Sequence, residues 1–508
     1  MYRYNNPIIS GFNPDPSICR CGEDFYLVTS TFEYFPGVPV YHSKNLVNWE
    51  LISYVLDREE QLDLHKCGPS RGIFAPTIRY SNGYFFMTTT NVSINKNFIV
   101  YTKDPKGDWS NPVWIDQDGI DPSLLFASNG DVYFTSNGIS SDNKQIIQSC
   151  KIDPFTGEKL SESKIISYGC GGIYPEGPHL YEINNKFYLM LAEGGTSYGH
   201  RETMQVSDDP FGPFIANEDN PIINHLNEVD SEISCTGHAD LIQDQNDNWW
   251  IVFLGVRTIS REDNYVSLHN LGRETHLAPV RWNEKGFPVV GNNGVVSLQM
   301  DGELPNEVKP VSLDFNDDFS SRSLNYEYLR NPISKNYELN TRDKTLILRG
   351  TGISINDQDS PTWIGVRQKE FNMEASVYLS LLNRVKDMKI GLSAYYNKDY
   401  HYEIYITYKD SKYYVEVAKK IHDLYVVTAS KEIEYCDNLS FKIKANKEDY
   451  RFYYSLSNDD FVLLDKGMTA ALCTESTSYM TFTGTFIAMF AEKSDCVITN
   501  FSTLYNKM

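Results

Sequence analysis

A five-bladed β-propeller followed by a C-terminal, jelly-roll-like β-sandwich is the all-β architecture that the sequence predicts, and three observations carry the prediction. One phrase, a lead residue followed by a strand, a tight turn and a second strand, occurs five times before residue 305. Beyond it, short runs of alternating character succeed one another with turns at about ten-residue spacing, the pattern of a sandwich. No stretch carries the 3.6-residue apolar period of a long amphipathic helix. A chain of 508 residues is too long for one core. The expected division is 1–305 for the propeller and 306–508 for the sandwich, with the loop-like Gly302-Glu303-Leu304-Pro305-Asn306 between them.

The five phrases fall in order. Asp15-Pro16-Ser17-Ile18 leads to a Gly-Glu-Asp turn and Phe25-Tyr26-Leu27-Val28; Ala75-Pro76-Thr77-Ile78 leads through Ser81-Asn82-Gly83 to Tyr84-Phe85-Phe86-Met87. Asp121-Pro122-Ser123-Leu124 leads through Ser128-Asn129-Gly130 to Val132-Tyr133-Phe134. Glu176-Gly177-Pro178-His179 opens the fourth phrase, and His238-Ala239-Asp240-Leu241 opens the fifth. The lead residues step by 60, 46, 55 and 62 positions, too irregular for a solenoid and about one four-stranded blade each. Equivalent positions in a propeller meet around its axis, so Asp15, Ala75, Asp121, Glu176 and His238 are expected to face one pocket. The C-terminal half supplies runs such as Tyr402-Glu403-Ile404-Tyr405-Ile406-Thr407-Tyr408 and Ser440-Phe441-Lys442-Ile443-Lys444. Its last run, Phe482 to Phe490, is aromatic enough to serve a neighbouring pocket as well as its own core.

Composition narrows the function. A net charge of −21 argues against nucleic-acid or anionic-membrane partners, which require a basic face, and favours a small neutral substrate. The N-terminal residues lack a signal-peptide core and no apolar run is long enough to span a membrane, so a cytoplasmic location is expected. Nine cysteines without a pairing pattern read as reduced thiols. Self-association into a homo-oligomer through the aromatic-rich sandwich is also expected.

Carboxylates converging on a pocket suit glycoside hydrolysis, where one protonates the leaving oxygen and another activates water or attacks carbon. The donor must hold its proton near neutral pH. Glu176, between two prolines and with Asp121 nearby, is the candidate acid; Asp15 is the base, and Asp121 raises and orients Glu176. Phe32 and Phe74 beside the lead strands suit a pocket wall for the flat face of a sugar. Thr196, after Gly194-Gly195, brings a hydroxyl to a ligand, and Arg273 of Leu271-Gly272-Arg273-Glu274-Thr275 has a fork suited to sugar hydroxyls or a catalytic carboxylate.

Asn13-Pro14-Asp15-Pro16-Ser17, Gly119-Ile120-Asp121-Pro122-Ser123, Pro175-Glu176-Gly177-Pro178-His179 and Gly272-Arg273-Glu274-Thr275 together resemble glycoside hydrolase family 43, in particular its two-domain β-xylosidases and α-L-arabinofuranosidases. The resemblance runs over essentially the whole chain. It implies an exo-acting enzyme that inverts the anomeric carbon and releases pentose from short xylo- or arabino-oligosaccharides. It also implies Asp15 as general base, Glu176 as general acid, Asp121 as pKa modulator and Arg273 in the non-reducing-end subsite. Phe482 matches a phenylalanine that the sandwich lends to the pocket wall in similar enzymes. His238 matches a histidine that in some relatives helps hold a calcium ion or water; no cofactor is required, and a structural calcium at His238 is the alternative. Phe74 and Ile120 depart from the aromatic residues common at those positions, which leaves xylose and arabinofuranose both open.

Two rivals remain at this point. An endo-arabinanase predicts an open groove without the sandwich loop, and an invertase-like enzyme is retaining, with its working carboxylates about 5–5.5 Å apart instead of about 6.5–9.5 Å. A non-catalytic sugar-binding propeller has no use for three acids at the axis.

Overall fold

The computed structural model describes residues 1–228, 231–259, 267–457 and 460–505. Five antiparallel sheets follow one another in the N-terminal half. Blade one is Ser17–Cys21, Asp24–Val28, Gly37–Ser43 and Glu50–Leu56; blade two is Thr77–Ser81, Tyr84–Asn91, Lys96–Thr102 and Val113–Ile115. Blade three is Ser123–Phe126, Val132–Ile139, Gln145–Lys151 and Lys164–Ser167. Blade four is Glu176–Ile183, Lys186–Glu193, Arg201–Ser207 and Ile215–Ala216, with Ile223–Asn224 beside its third strand. Blade five is Ile233–Gln243, Trp249–Arg257, Glu274–Trp282 and Pro288–Val290. The turns between first and second strands have the chemistry that tight hairpins need: Asn82-Gly83 and Asn184-Asn185 both sit at positive φ.

Apolar residues between neighbouring blades close the ring. Val28, Ile78 and Met87 join blades one and two, Phe86, Leu124 and Phe134 join two and three, and Ile147, Leu180 and Leu189 join three and four. Met190, Leu241 and Phe253 join four and five. Ile18, Leu27, Val252 and Leu277 then join five back to one. The N-terminal segment fastens the seam, with Tyr2–Asn5 pairing Gln299–Gly302 and Ile9 bridging Thr275.

The C-terminal half builds two eight-stranded sheets packed face to face, one of them with seven strands of its own. Leu392, Ile404 and Met489 of the inner sheet meet Val377, Phe441, Phe452 and Phe501 of the outer one. The inner sheet is apolar on both sides, because its second face lies on the propeller: Trp363, Tyr395, Tyr405, Phe486 and Phe490 pack with Phe12, Phe32 and Tyr34. Tyr34–Phe35 of the propeller even completes the inner sheet as an edge strand, paired with Glu327–Leu329. Helix is confined, among the described residues, to three short 3-10 turns, and no helix is long and apolar enough to cross a membrane.

Candidate active site

The inner strands of the five blades share one backbone device. Ser17, Thr77, Ser123, His179 and Asp240 each pair with the second strand of their blade at corresponding places. Two residues before them stand Asp15, Ala75, Asp121, Gly177 and His238, and all but Ala75 have positive φ, between 50° and 56°. Asp and His tolerate this left-handed conformation better than most side chains. The expected equivalence is corrected at blade four. Gly177, not Glu176, occupies the lead position; Glu176 lies one residue upstream, across a bulge between Glu176 and His179. The acid therefore enters the pocket from a different backbone position than the two aspartates.

Asp15 is nearly fully buried and densely held. Arg273 donates from Nη1 to Oδ1 at 3.0 Å and from Nη2 to Oδ2 at 3.3 Å, and Ser30 Oγ donates to Oδ2 at 2.5 Å. His238 Nδ1 stands 3.6 Å from Oδ1. Burial pushes the Asp15 carboxyl up, but Arg273, His238 and Ser30 together hold it below its usual value, so it is ionised. Asp121 is raised, first by burial and then by Asp15, against the pull of His238; its Oδ2 accepts the Gly177 N–H at 3.2 Å, which ties it to the peptide following Glu176. Burial, with Asp121 and Asp15 adding to it, pushes the half-buried Glu176 up to about 8. One pocket thus holds a carboxylate and a carboxylic acid at neutral pH.

Arg273 and Glu274 are both buried. They point to opposite sides of the strand entry: Arg273 to Asp15, and Glu274, fully buried, to Arg257 at 2.7 and 2.8 Å. Arg273 Nη1 also donates to Thr196 Oγ1 at 3.0 Å, and its guanidinium lies 5.3 Å from the Phe482 ring centre and 5.7 Å from that of Phe32. Such contacts contribute about 0.5–2 kcal/mol each. Phe32, Phe74 and Phe482 form one aromatic corner with centroids 5.2 to 5.8 Å apart. Phe32 is only 2% exposed, so it backs the wall, while the half-buried Phe74 and Phe482 present ring surface.

Phe482 arrives from the sandwich on a loop pressed against the propeller. Its N–H donates to Ser70 Oγ at 2.9 Å, and Thr485 donates from both N and Oγ1 to the Asn270 carbonyl. Gly484 makes this possible: a Cβ there would lie 2.2 Å from the Leu271 carbonyl oxygen.

Three residues that sequence reasoning missed belong to the site. Ser30 is a ligand of Asp15 from fifteen residues downstream. His200 is bound through Nδ1 to the Cys235 carbonyl at 3.0 Å, which makes Nδ1 the protonated nitrogen and leaves Nε2 a lone-pair acceptor with no partner among the described residues. Burial pushes His200 down to about 3, so it stays neutral. Glu202, raised well above the usual range by burial, accepts the Ala239 N–H at 3.1 Å and fixes the backbone at His238. No periodic signal marked them: the polar run Arg201, Thr203, Gln205 lies on the opposite face of the strand from Glu202. Beneath the pocket Asp240 collects Ser17, Arg79 and Tyr181 at 2.6 to 2.7 Å, cross-linking blades one, two, four and five.

Calcium takes six to eight oxygen ligands. Of the two carboxyls that interact with His238, Asp15 is already paired with Arg273 and Asp121 accepts the Gly177 N–H, and among the described residues no group of three His, Cys, Asp or Glu is arranged for a metal. This donor set does not fit a protein-ligated calcium ion.

A five-bladed propeller whose axial pocket divides protonation between two carboxyls, beside an arginine and an aromatic wall, defines a glycoside hydrolase. The chain belongs to glycosyl hydrolases family 43, whose family model matches residues 4–288, while residues 316–497 match the beta xylosidase C-terminal concanavalin A-like domain. It is 39% identical over 505 residues to the non-reducing end alpha-L-arabinofuranosidase BoGH43B of Bacteroides ovatus, covering 98% of this chain and 93% of that protein. A xylosidase/arabinosidase of Butyrivibrio fibrisolvens is 35% identical over 519 residues, covering 98% and 97%. The solved structure described as Bacteroides ovatus xyloglucan PUL GH43B superposes with a TM-score of 0.93 at 37% identity, over 99% of this chain and all of that one.

Proposed function

We propose that this glycoside hydrolase is exo-acting and inverting, and releases a terminal pentose, α-L-arabinofuranose or β-D-xylopyranose, from the non-reducing end of short oligosaccharides. The observation that carries the reading is the opposed protonation of Asp15 and Glu176 in one pocket. Glu176 gives its proton to the glycosidic oxygen as the C–O bond breaks. Asp15 takes a proton from the water that attacks the anomeric carbon from the opposite face, which inverts the configuration. The two carboxyls then exchange protons with solvent. Arg273 keeps Asp15 ionised, and its other Nη hydrogens hold Thr196 Oγ1 and the Phe482 carbonyl, which ties the base to the hydroxyl and aromatic side of the pocket. The Phe74 and Phe482 rings support exo action, since a wall lent by the sandwich suits a dead-end pocket better than a groove. Relatives named arabinofuranosidase and xylosidase/arabinosidase support the pentose. The scheme assigns no step to a metal.

Hydrolysis of aryl α-L-arabinofuranoside and aryl β-D-xylopyranoside tests the reading, with the ratio of rates naming the preferred sugar. Proton NMR of the first product should show the inverted anomer. Activity on neither glycoside, or internal cleavage of arabinan, overturns it.

Two further outcomes follow from the geometry. Asp121→Asn removes the second-largest influence that raises Glu176, so the alkaline limb of kcat/KM is expected to move from near pH 8 to lower pH. Gly484→Ala drives a methyl group into the Leu271 carbonyl and backs the Phe482 loop away; KM is expected to rise about tenfold, equivalent to about 1.4 kcal/mol of lost contact.

The proposal extends to a cytoplasmic setting, which the nine free cysteines support. It also includes self-association, supported by exposed Leu424, Val426, Val462 and Leu463 on the edge strands of the two sandwich sheets.

A further inference from the structure

Four consecutive sandwich residues, Arg367-Gln368-Lys369-Glu370, grip both chain segments that bring Asp15 and Arg273 together. Arg367 ends the strand Thr362–Arg367 and is buried against the propeller. Its Nη1 donates to the Phe12 carbonyl and, at 2.7 Å, to Asn13 Oδ1, and its guanidinium lies 4.9 Å from the Phe12 ring centre. Its Nε donates to Glu327 Oε1 at 2.5 Å. Asn13 stands two residues before Asp15 and is itself tied to the other segment. Its N–H donates to the Arg273 carbonyl at 2.9 Å, and its own carbonyl accepts Thr275 Oγ1 at 2.8 Å.

The second half of the grip acts on Arg273's side. Glu370 Oε2 accepts Arg257 Nη1 at 2.6 Å and the Lys369 carbonyl accepts Arg257 Nη2 at 2.9 Å. Arg257 turns its other edge to Glu274, the residue after Arg273, and Glu274 Oε1 accepts the Gly11 N–H at 2.7 Å. Between the two halves the Gln368 carbonyl presses on Gly11, where a Cβ would lie 2.5 Å from its oxygen.

Buried ion pairs add little net stability, because desolvating both charges offsets their attraction. Their use here is geometric. The Asp15–Arg273 contacts at 3.0 and 3.3 Å join residues 258 apart in sequence, and a shift of about 1 Å at such a site costs about 100-fold in rate. We propose that Arg367 and Glu370 are positioning residues through which the sandwich sets the register of Asp15 against Arg273. The sandwich thereby acts on the catalytic base as well as on the pocket wall. This inference rests on Asp15 being the base.

The test compares three variants with the wild type in the full-length protein. The double variant Arg367→Met with Glu327→Leu removes both buried charges without stranding one. Glu370→Gln, at a partly exposed side chain, preserves the fold if the double variant does not. Asp15→Asn checks the underlying reading. Loosening Asp15 from Arg273 raises the base, so the acid limb of kcat/KM is expected to move to higher pH. The expected loss is about 10- to 100-fold in kcat for the double variant and smaller but in the same direction for Glu370→Gln, with KM little changed. A merely structural role predicts less folded protein with an unmoved acid limb and a normal kcat per folded molecule; that result, in either clamp variant, overturns the proposal. An active Asp15→Asn overturns the assignment of the base instead.

Discussion

Glu176→Ala is expected to lower kcat/KM on substrates with a sugar leaving group by about 10²- to 10⁴-fold, the range that a positioned general acid contributes. The same variant is expected to lose far less on an aryl glycoside whose phenol is acidic, because that leaving group departs without a proton. Selective loss distinguishes the acid from any other group in the pocket. Its physical basis is the environment of Glu176. Burial disfavours its charged form, and Asp121 and Asp15 add to this, so the carboxyl keeps a proton up to about pH 8. Steady-state kinetics on a xylo- or arabino-disaccharide and a dinitrophenyl glycoside, run side by side, supply the measurement.

Asp15→Asn is expected to cost about 10²- to 10⁴-fold on both kinds of substrate, since water must be deprotonated whatever leaves. An asparagine of the same shape keeps one oxygen to accept from Arg273 Nη2 and Ser30, turns an NH2 that cannot accept toward Nη1, and takes no proton from water. Equal loss on both leaving groups is the signature of a base. Loss confined to the sugar leaving group exchanges the two assignments. Asp15→Asn also removes one charge that raises Glu176, so any residual activity is expected to show an earlier alkaline limb.

The propeller was legible because its information is local and repeated. Each blade begins with a lead residue, a strand and a turn whose residues, such as Asn82-Gly83, must adopt positive φ. The same repetition exposed Asp15 and Asp121, where the need for left-handed backbone and the need for a carboxyl coincide. At blade four the two needs fall on different residues: Gly177 takes the backbone position and Glu176 carries the carboxyl, an offset that no repeat pattern reveals without the bulge. What stayed hidden is non-local. Ser30, His200 and Arg367 resemble ordinary strand residues until folding brings them to Asp15 or its loop. Tyr34–Phe35 reads as a propeller connection, yet it pairs with Glu327–Leu329, almost 300 residues away in sequence, as an edge of the sandwich sheet. The neighbours of Phe32 in sequence mark it as a wall residue, and only its packing behind Phe482 and Arg273 separates a backing ring from one that presents its face.

The central claim is that an ionised Asp15 and a protonated Glu176 divide the reaction between them. The most direct test is the pH dependence of kcat/KM of the wild type on two glycosides of one pentose, one with a sugar leaving group and one with dinitrophenolate. The account expects an acid limb from Asp15 on both, and an alkaline limb near pH 8 on the first that is weakened or absent on the second. An alkaline limb of the same size and position on both substrates contradicts it, because the group titrating there would not be the proton donor.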